Sequence, residues 1–138
     1  MPGPLQGTFR GRWIKTSGNL IQTTLTLVSG WAINEAANGI AESSGTFTVS
    51  KGGLWLIVAN VWGPSATNEV TAVIGPSSTD EWARGKNPTT THNGFSITAL
   101  KSIAPSGTFG LYVAISGTAA VPGDVAGGFN IAATMLGA

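Results

Sequence analysis

The sequence predicts an all-β protein, a single-domain jelly roll built as a two-sheet antiparallel sandwich. Short segments rich in apolar and β-branched residues recur along the 138-residue chain. Clusters of Gly, Pro, Asn or Ser separate them, which is typical of a sandwich or jelly roll. Helical periodicity is almost absent, with one turn of helix expected at EAAN, residues 35–38. The length suits one domain with one hydrophobic core.

The predicted strands differ in how regularly large apolar residues alternate with other residues. The clearest is TFGLYVAIS, in which every second residue from Phe109 to Ile115 is large and apolar. In chain order the predicted strands are residues 20–28, 46–50, 54–62, 70–74, 95–103, 108–116 and 129–136.

The segment LWLIVANVW, residues 54–62, is apolar at nearly every position, so both faces of the predicted strand are apolar. In a small antiparallel sheet one face commonly meets water and is polar. An exposed second face would be an apolar patch of the kind that marks interaction sites or promotes aggregation. Since the sequence predicts no helix layer to cover it, we expect another copy of the same chain to do so.

The composition excludes several classes of protein. Only 9% of the residues are charged and the formal net charge is +1. Because no basic stripe suited to phosphates is present, no nucleic-acid partner is expected. No apolar run approaches the roughly 20 residues that span a bilayer, and the first residues lack the basic-then-apolar order of a signal peptide. We therefore expect neither a membrane partner nor general secretion. The absence of cysteine excludes disulfides and thiol chemistry.

The ionisable residues show no catalytic arrangement, so the sequence predicts that the protein is not an enzyme. The carboxylates are few, and only Asp80 and Glu81 are adjacent, which on a strand would direct them to opposite faces. His92 is the single histidine, and no serine near it lies in a nucleophile elbow. No histidine pair or calcium loop is present. We expect no catalytic residue, no metal site and no cofactor.

Three segments together resemble a known superfamily. GTFTVSKGGLWLIVANV (residues 45–61), FSITALKSIAPSGTFGLYVAIS (95–116) and FNIAATMLGA (129–138) are similar, in order and spacing, to strands of the tumour-necrosis-factor and complement globular-head superfamily. The resemblance covers roughly residues 30–138. It implies a jelly roll assembled as a homotrimer, with the inner sheet of each subunit packed around a threefold axis. The chain also resembles the jelly rolls of bacteriophage decoration proteins, head fibres and tail-fibre tips.

The resemblance places the strand at residues 54–62 in the inner sheet. One parity, which contains Trp55 and Ile57, is then expected to face the subunit core together with Ala59 and Val61. The other parity faces neighbouring subunits. Asn60 belongs to that second set, because an unpaired polar group in the core costs roughly 1–3 kcal/mol. The predicted trimer-interface residues are Leu56, Val58, Asn60, Ala132 and Thr134.

In function, the resemblance implies a virion structural protein: a homotrimeric capsid decoration or cement protein on the outer surface of a bacteriophage head, with the major capsid protein as its partner. The alternative is a trimeric receptor- or glycan-binding fibre tip that contacts a host-surface glycan. A bacterial signalling or spore-surface protein with the same fold is a third alternative.

The N-terminal residues have two interpretations. Residues 1–15 form an arm that precedes a jelly-roll domain of residues 16–138, and Arg10, Arg12 and Trp13 are then candidates for docking onto the capsid. Alternatively, residues 7–14 form a plain first strand packed on its own sheet.

Residues 75–94, GPSSTDEWARGKNPTTTHNG, are predicted to be the one long irregular segment. Long loops without secondary structure are often functional. Asp80, Glu81, Trp82 and Arg84 are therefore candidates for a ligand or receptor loop, with Trp82 as an exposed aromatic anchor. The alternative is a solvated loop tip.

Overall fold

The computed structural model describes residues 9–16, 24–62, 69–87, 94–115 and 129–138. Within these ranges the chain consists of strands, turns and irregular segments, without a helix. The strands are β1 (Arg10–Lys15), β2 (Thr26–Leu27), β3 (Trp31–Asn38), β4 (Ile40–Ser43), β5 (Thr46–Val49), β6 (Gly53–Trp62), β7 (Val70–Gly75), β8 (Ala83–Asn87), β9 (Gly94–Ile103), β10 (Thr108–Ile115) and β11 (Phe129–Gly137). In the described part of the chain there is accordingly no helix long and apolar enough to cross a membrane.

The strands form two antiparallel sheets. One has five strands in the order β3-β1-β11-β6-β9. The other has six strands: five in the order β4-β5-β10-β7-β8, and β2, which pairs with β10. Every pairing in both sheets is antiparallel. The predicted all-β, two-sheet jelly-roll sandwich is confirmed.

Agreement with the predicted strands is close where apolar residues alternate or form a continuous run, and poor elsewhere. Strands β5, β6, β7, β9, β10 and β11 coincide with predicted segments to within about one residue at each end. In the segment predicted at 20–28, residues 20–23 lie outside the described residues. Of the described residues 24–28, only Thr26 and Leu27 belong to a strand, which is β2. Strands β3, β4 and β8 were not predicted.

The helical turn expected at residues 35–38 is wrong, because this segment belongs to β3. Arg12 of β1 pairs with Glu35, and Arg10 pairs with Asn38. A single helical turn fixes several dihedrals for one hydrogen bond and is unfavourable by itself, whereas the strand gains a ladder with β1. Sheet pairing therefore overrides the local propensity of the two alanines.

The core fills the space between the two sheets, and an aromatic cluster lies within it. The Phe47 side chain has no exposed area, and its ring centroid lies 5.2 Å from Phe109 in a stacked arrangement. The Trp13 ring meets the Phe47 ring edge-on, with 4.8 Å between the centroids, and the centroid of the Trp31 ring lies 5.9 Å from that of Phe47. From β6, the residues predicted to face the core are all buried: Trp55, Ile57, Ala59 and Val61.

One glycine lets the two sheets approach at their edge. A Cβ atom added to Gly85 of β8 would lie 2.1 Å from Cγ2 of Ile97 and 3.0 Å from the ring of Phe95. Real Cβ atoms do not approach other heavy atoms so closely, so only glycine allows β8 to close over β9 without a shift in the backbone or in these side chains.

The position of Phe47 at the centre of the aromatic cluster gives a stability prediction. Phe47→Ala should lower the free energy of unfolding by about 3–5 kcal/mol, because it removes a large buried side chain and leaves a cavity. Urea unfolding followed by tryptophan fluorescence measures this loss. The exposed neighbour Thr48 supplies the control, since Thr48→Ala should change the free energy by about 0.5 kcal/mol or less. Equal effects of the two substitutions would contradict the assigned core.

Candidate functional site

The candidate site is the outer face of the five-stranded sheet, defined as the side that points away from the six-stranded sheet. Successive side chains of a strand point to opposite sides. Since Trp55 and Ile57 of β6 are buried in the core, Leu56 and Val58 point outward, where both are half-buried.

Cross-strand pairing places the outward residues in transverse rows. Leu56 lies between Thr134 of β11 and Leu100 of β9. Val58 lies between Ala132 and Thr98 in the same way. The third row contains Asn60, Asn130 and Ser96.

The structure therefore brings all five predicted interface residues onto one continuous surface. Leu56, Val58, Asn60, Ala132 and Thr134 are neighbours across the β6–β11 pairing. That they mediate assembly remains a prediction. The contribution of β9 to this surface was not predicted, although the apolar parity at Phe95, Ile97 and Ala99 indicates that the intervening residues point the other way.

The outward positions of β11, β6 and β9 carry no charged side chain among the described residues. They comprise Asn130, Ala132 and Thr134 of β11, Leu54, Leu56, Val58 and Asn60 of β6, and Ser96, Thr98, Leu100 and Ser102 of β9. Among the described residues, the charged side chains of this face lie on β1 and β3, where Nη1 of Arg12 is 3.7 Å from Oε1 of Glu35 and Arg10 is exposed nearby. The face thus has an uncharged part and a charged flank.

The uncharged part changes character along the strands. Leu100 is 59% exposed and Leu54 is 38% exposed, at the end where β6 begins and β9 finishes. Leu136 is 57% exposed in the bulge near the end of β11. At the opposite end lie Asn60 and its two polar neighbours. We refer to these as the leucine end and the asparagine end.

The asparagine end is a hydrogen-bonded row that crosses three strands. The Asn60 Nδ2 group donates to Oδ1 of Asn130 at 2.6 Å. The Ser96 hydroxyl donates to Oδ1 of Asn60. The amide of Asn60 is therefore held from both sides.

The structure describes residues 10–15 of the predicted arm as β1, so the first-strand interpretation applies to them. Assigning Trp13 to capsid docking is wrong, because its side chain is 4% exposed and packs against Phe47. Alternation along β1 turns Trp13 and Lys15 inward and leaves Arg10 and Arg12 outside. Lys15 is 1% exposed, and its ammonium donates to the carbonyl oxygen of Ser29. Residues 1–8 lie outside the described residues.

Residues 75–94 are not one irregular loop. Residues 76–82 form a turn in which the Ser77 hydroxyl accepts from the backbone N–H of Asp80 at 3.0 Å. Strand β8 follows and pairs with β7. His92 lies in residues 88–93, outside the described part of the chain.

Within this turn and β8, the predicted loop residues do not converge on a common point. Arg84 Nε donates to both carboxylate oxygens of Glu81, at 2.9 and 3.0 Å. This hydrogen bonding lowers the pKa of Glu81 and raises the pKa of Arg84. The charged form of Glu81 therefore favours the folded state above the ordinary glutamate pKa, and this contribution is lost as the pH falls through the lowered value. Asp80 is exposed beside them.

Trp82 is not a freely exposed anchor. Its side chain is half-buried and packs against the core, with its ring 6.0 Å from that of Phe109. The ammonium of the exposed residue Lys101 lies 5.6 Å from the centroid of the Trp82 ring. Among the described residues, no group of three or more His, Cys, Asp or Glu side chains could hold a metal ion.

No protein-family model matches the sequence, and comparison with curated proteins gives no match. Solved structures do resemble the chain. Murine APRIL at pH 8.5 superposes with a TM-score of 0.63 at 11% sequence identity, covering 92% of this chain and 99% of that one. Murine APRIL at pH 5.0 gives a TM-score of 0.62 at 11% identity over the same shares.

Eiger TNF from S. frugiperda gives a TM-score of 0.60 at 10% identity, covering 94% of this chain and 92% of that one. The match over nearly the whole of each chain confirms the predicted likeness to tumour-necrosis-factor jelly rolls. At such low identity the likeness concerns the fold alone, so the chain is described as a jelly roll of the tumour-necrosis-factor type.

Proposed function

We propose that the protein is a non-enzymatic virion structural protein, a homotrimeric decoration or cement protein on the outer surface of a bacteriophage head. The subunits associate through the uncharged part of the outer face, and the major capsid protein is the partner of the trimer. The single observation that carries the assembly is the absence of charge from the described outward positions of three adjacent strands, together with exposed leucines.

Charge depletion of this kind is the usual mark of an interface core. Solvent-facing strands are normally polar or charged, and charged side chains also protect sheets from unwanted pairing. Leu54 and Leu100 are instead exposed on this face. Contiguous apolar surface with a polar rim marks a site of protein association.

The uncharged part of the face can form the centre of an interface. Its three strands, spaced about 4.8 Å apart, give a width of about 10 Å, and the ten residues of β6 span about 33 Å. The resulting area, on the order of 300 Å² before side-chain relief is included, is less than half of the roughly 800 Å² that each partner buries in a standard interface, so neighbouring surface has to contribute the remainder.

The jelly-roll resemblance supplies the number of subunits. It implies a closed ring of three chains whose inner sheets pack around a threefold axis. The uncharged part of each chain, with the leucine and valine of β6 and β9, then lies toward the axis. The charged flank with Arg10, Arg12 and Glu35 lies beside this contact.

A structural role fits the distribution of ionisable groups better than catalysis does. General acid–base catalysis needs ionisable groups that converge on one reacting centre. The described ion pairs lie apart on exposed surfaces: Arg12 with Glu35, Arg84 with Glu81, and Lys86 with Glu69. No cofactor is part of the proposal.

The virion setting rests on composition and resemblance. The chain has no cysteine, only 9% charged residues and 20 glycines, and its jelly roll resembles those of phage decoration proteins. Arg10 and Arg12 remain the proposed contacts to the capsid, because both are exposed on the charged flank, beside the uncharged part. The fibre-tip alternative relies on Trp82, and no contact of that residue favours a glycan.

Assembly through the outer face predicts a trimer in solution. Light scattering on the purified chain should give about three times its mass of 14.0 kDa. Leu56→Asp should weaken association by about 10- to 100-fold, since burying a leucine contributes about 1.5–3 kcal/mol. Sedimentation at several concentrations measures this change.

Thr48→Asp is the matched control, because Thr48 is exposed on β5 of the other sheet. It should leave the mass unchanged. A monodisperse monomer from the wild-type chain would contradict trimeric assembly. Equal effects of the two aspartates would contradict the assignment of the interface to this face.

Docking through the charged flank predicts that Arg10→Gln/Arg12→Gln binds capsids at least about tenfold more weakly, because charge-assisted hydrogen bonds contribute about 1.5–3 kcal/mol each. Co-sedimentation with empty heads of the phage that carries the gene measures binding. Lys51→Gln/Lys101→Gln removes the same charge from exposed positions elsewhere and should bind normally. Unchanged binding of the arginine variant would exclude this docking surface.

A further inference from the structure

The asparagine end of the outer face is unusual because its polar groups are organised. Three polar side chains on adjacent strands, Ser96, Asn60 and Asn130, are linked into one hydrogen-bonded row. At the leucine end the corresponding row contains Leu56 and Leu100 with Thr134. The face thus carries two chemically different ends.

With respect to the described residues, the row keeps both donors and acceptors without a side-chain partner. Each amide has two N–H donors and an oxygen with two lone pairs. Asn60 donates one N–H to Asn130, and its oxygen accepts from Ser96. The second N–H of Asn60 and the N–H groups of Asn130 make no side-chain hydrogen bond with the described residues. Carrying unused groups of both kinds, the row is complementary to a copy of itself.

We propose that this row fixes the relative orientation of the subunits, an inference that rests on the proposed assembly. Covering the outer face removes water from these amides, and a buried amide without a partner is unfavourable. Facing a second copy's leucine end would leave the row unpaired, whereas facing the same row pairs it. All copies consequently assemble with their asparagine ends at the same end of the particle.

Apolar contacts alone would not impose this choice. Burial of apolar area is non-directional, so leucines and valines on a sheet tolerate several relative orientations of the partner. A single buried asparagine in a coiled coil fixes register and oligomeric state at some loss of stability. Here the row has the same role, while the leucine end contributes most of the affinity.

Distances between spin labels test the proposal, and the absence of native cysteine makes labelling specific. Ala104→Cys places one label on the exposed turn after β9, at the leucine end. In the otherwise unchanged chain all labels of a trimer lie at one end, so one short distance population is expected. In the Asn60→Val/Asn130→Val background a second, longer population should appear, reflecting the roughly 33 Å length of β6.

Thr98→Val is the matched control, since it removes a polar group from the adjacent row of the same face without touching the hydrogen-bonded row. It should keep the single short population. If the double valine variant shows disturbed circular dichroism, Asn130→Val alone carries the test, because Asn60 then keeps its bond to Ser96.

The outcomes separate this proposal from the proposed assembly. A labelled wild-type chain that is monomeric and shows no dipolar coupling refutes the assembly itself. A trimeric wild type whose double valine variant keeps one mass and one short distance refutes only the orientation role. A folded but monomeric double variant also refutes it, because the row would then supply affinity rather than orientation.

Discussion

The structure depends on the antiparallel pairing of β6 with β11, which is continuous from Trp55 to Val61, and with β9 on the other side. This pairing fixes which side of the strand enters the core. Trp55 and Ile57 are fully buried, and a slip of one residue would turn them to the outside. The core aromatics and the outer rows are therefore two consequences of one register.

The same register creates the uncovered surface. A sandwich of two sheets encloses only the inner faces, and the described part of the chain has no helix to lie on the outer ones. The residues opposite Trp55 and Ile57 in parity are leucine and valine, not the charged side chains that would suit water. The sequence thus carries apolar residues that the fold of one subunit does not use, which is why we attribute them to assembly.

Alternation decided what could be predicted from the sequence. Strand β10 was predictable because its large apolar residues recur with period two, and β6 because it is a continuous run of apolar residues. The five predicted interface residues followed from strand parity together with the inner-sheet position that the resemblance implies. Strand β3 was missed because WAINEAAN has no such pattern, and β1 supplies its pairing partner. The inward direction of Trp13 could have been inferred from Arg10 and Arg12, which lie on the opposite parity of the same strand, but not its contact with Phe47, which is distant in sequence. Trp82 was misjudged because ARGKN has little strand propensity, so the turn before it could not be located.

Asn60 connects the fold to the proposed assembly. From the sequence it was assigned to the outer face because an isolated amide in the core would be unfavourable. In the structure it is on that face but not isolated, since Asn130 and Ser96 already satisfy part of its hydrogen-bonding capacity. Because the side chains of this row already form hydrogen bonds with one another within each subunit, removing water from the row costs less free energy than removing it from three separate polar groups. It can therefore lie inside an interface and still discriminate between orientations, which neither a bare apolar surface nor a lone asparagine would do as well.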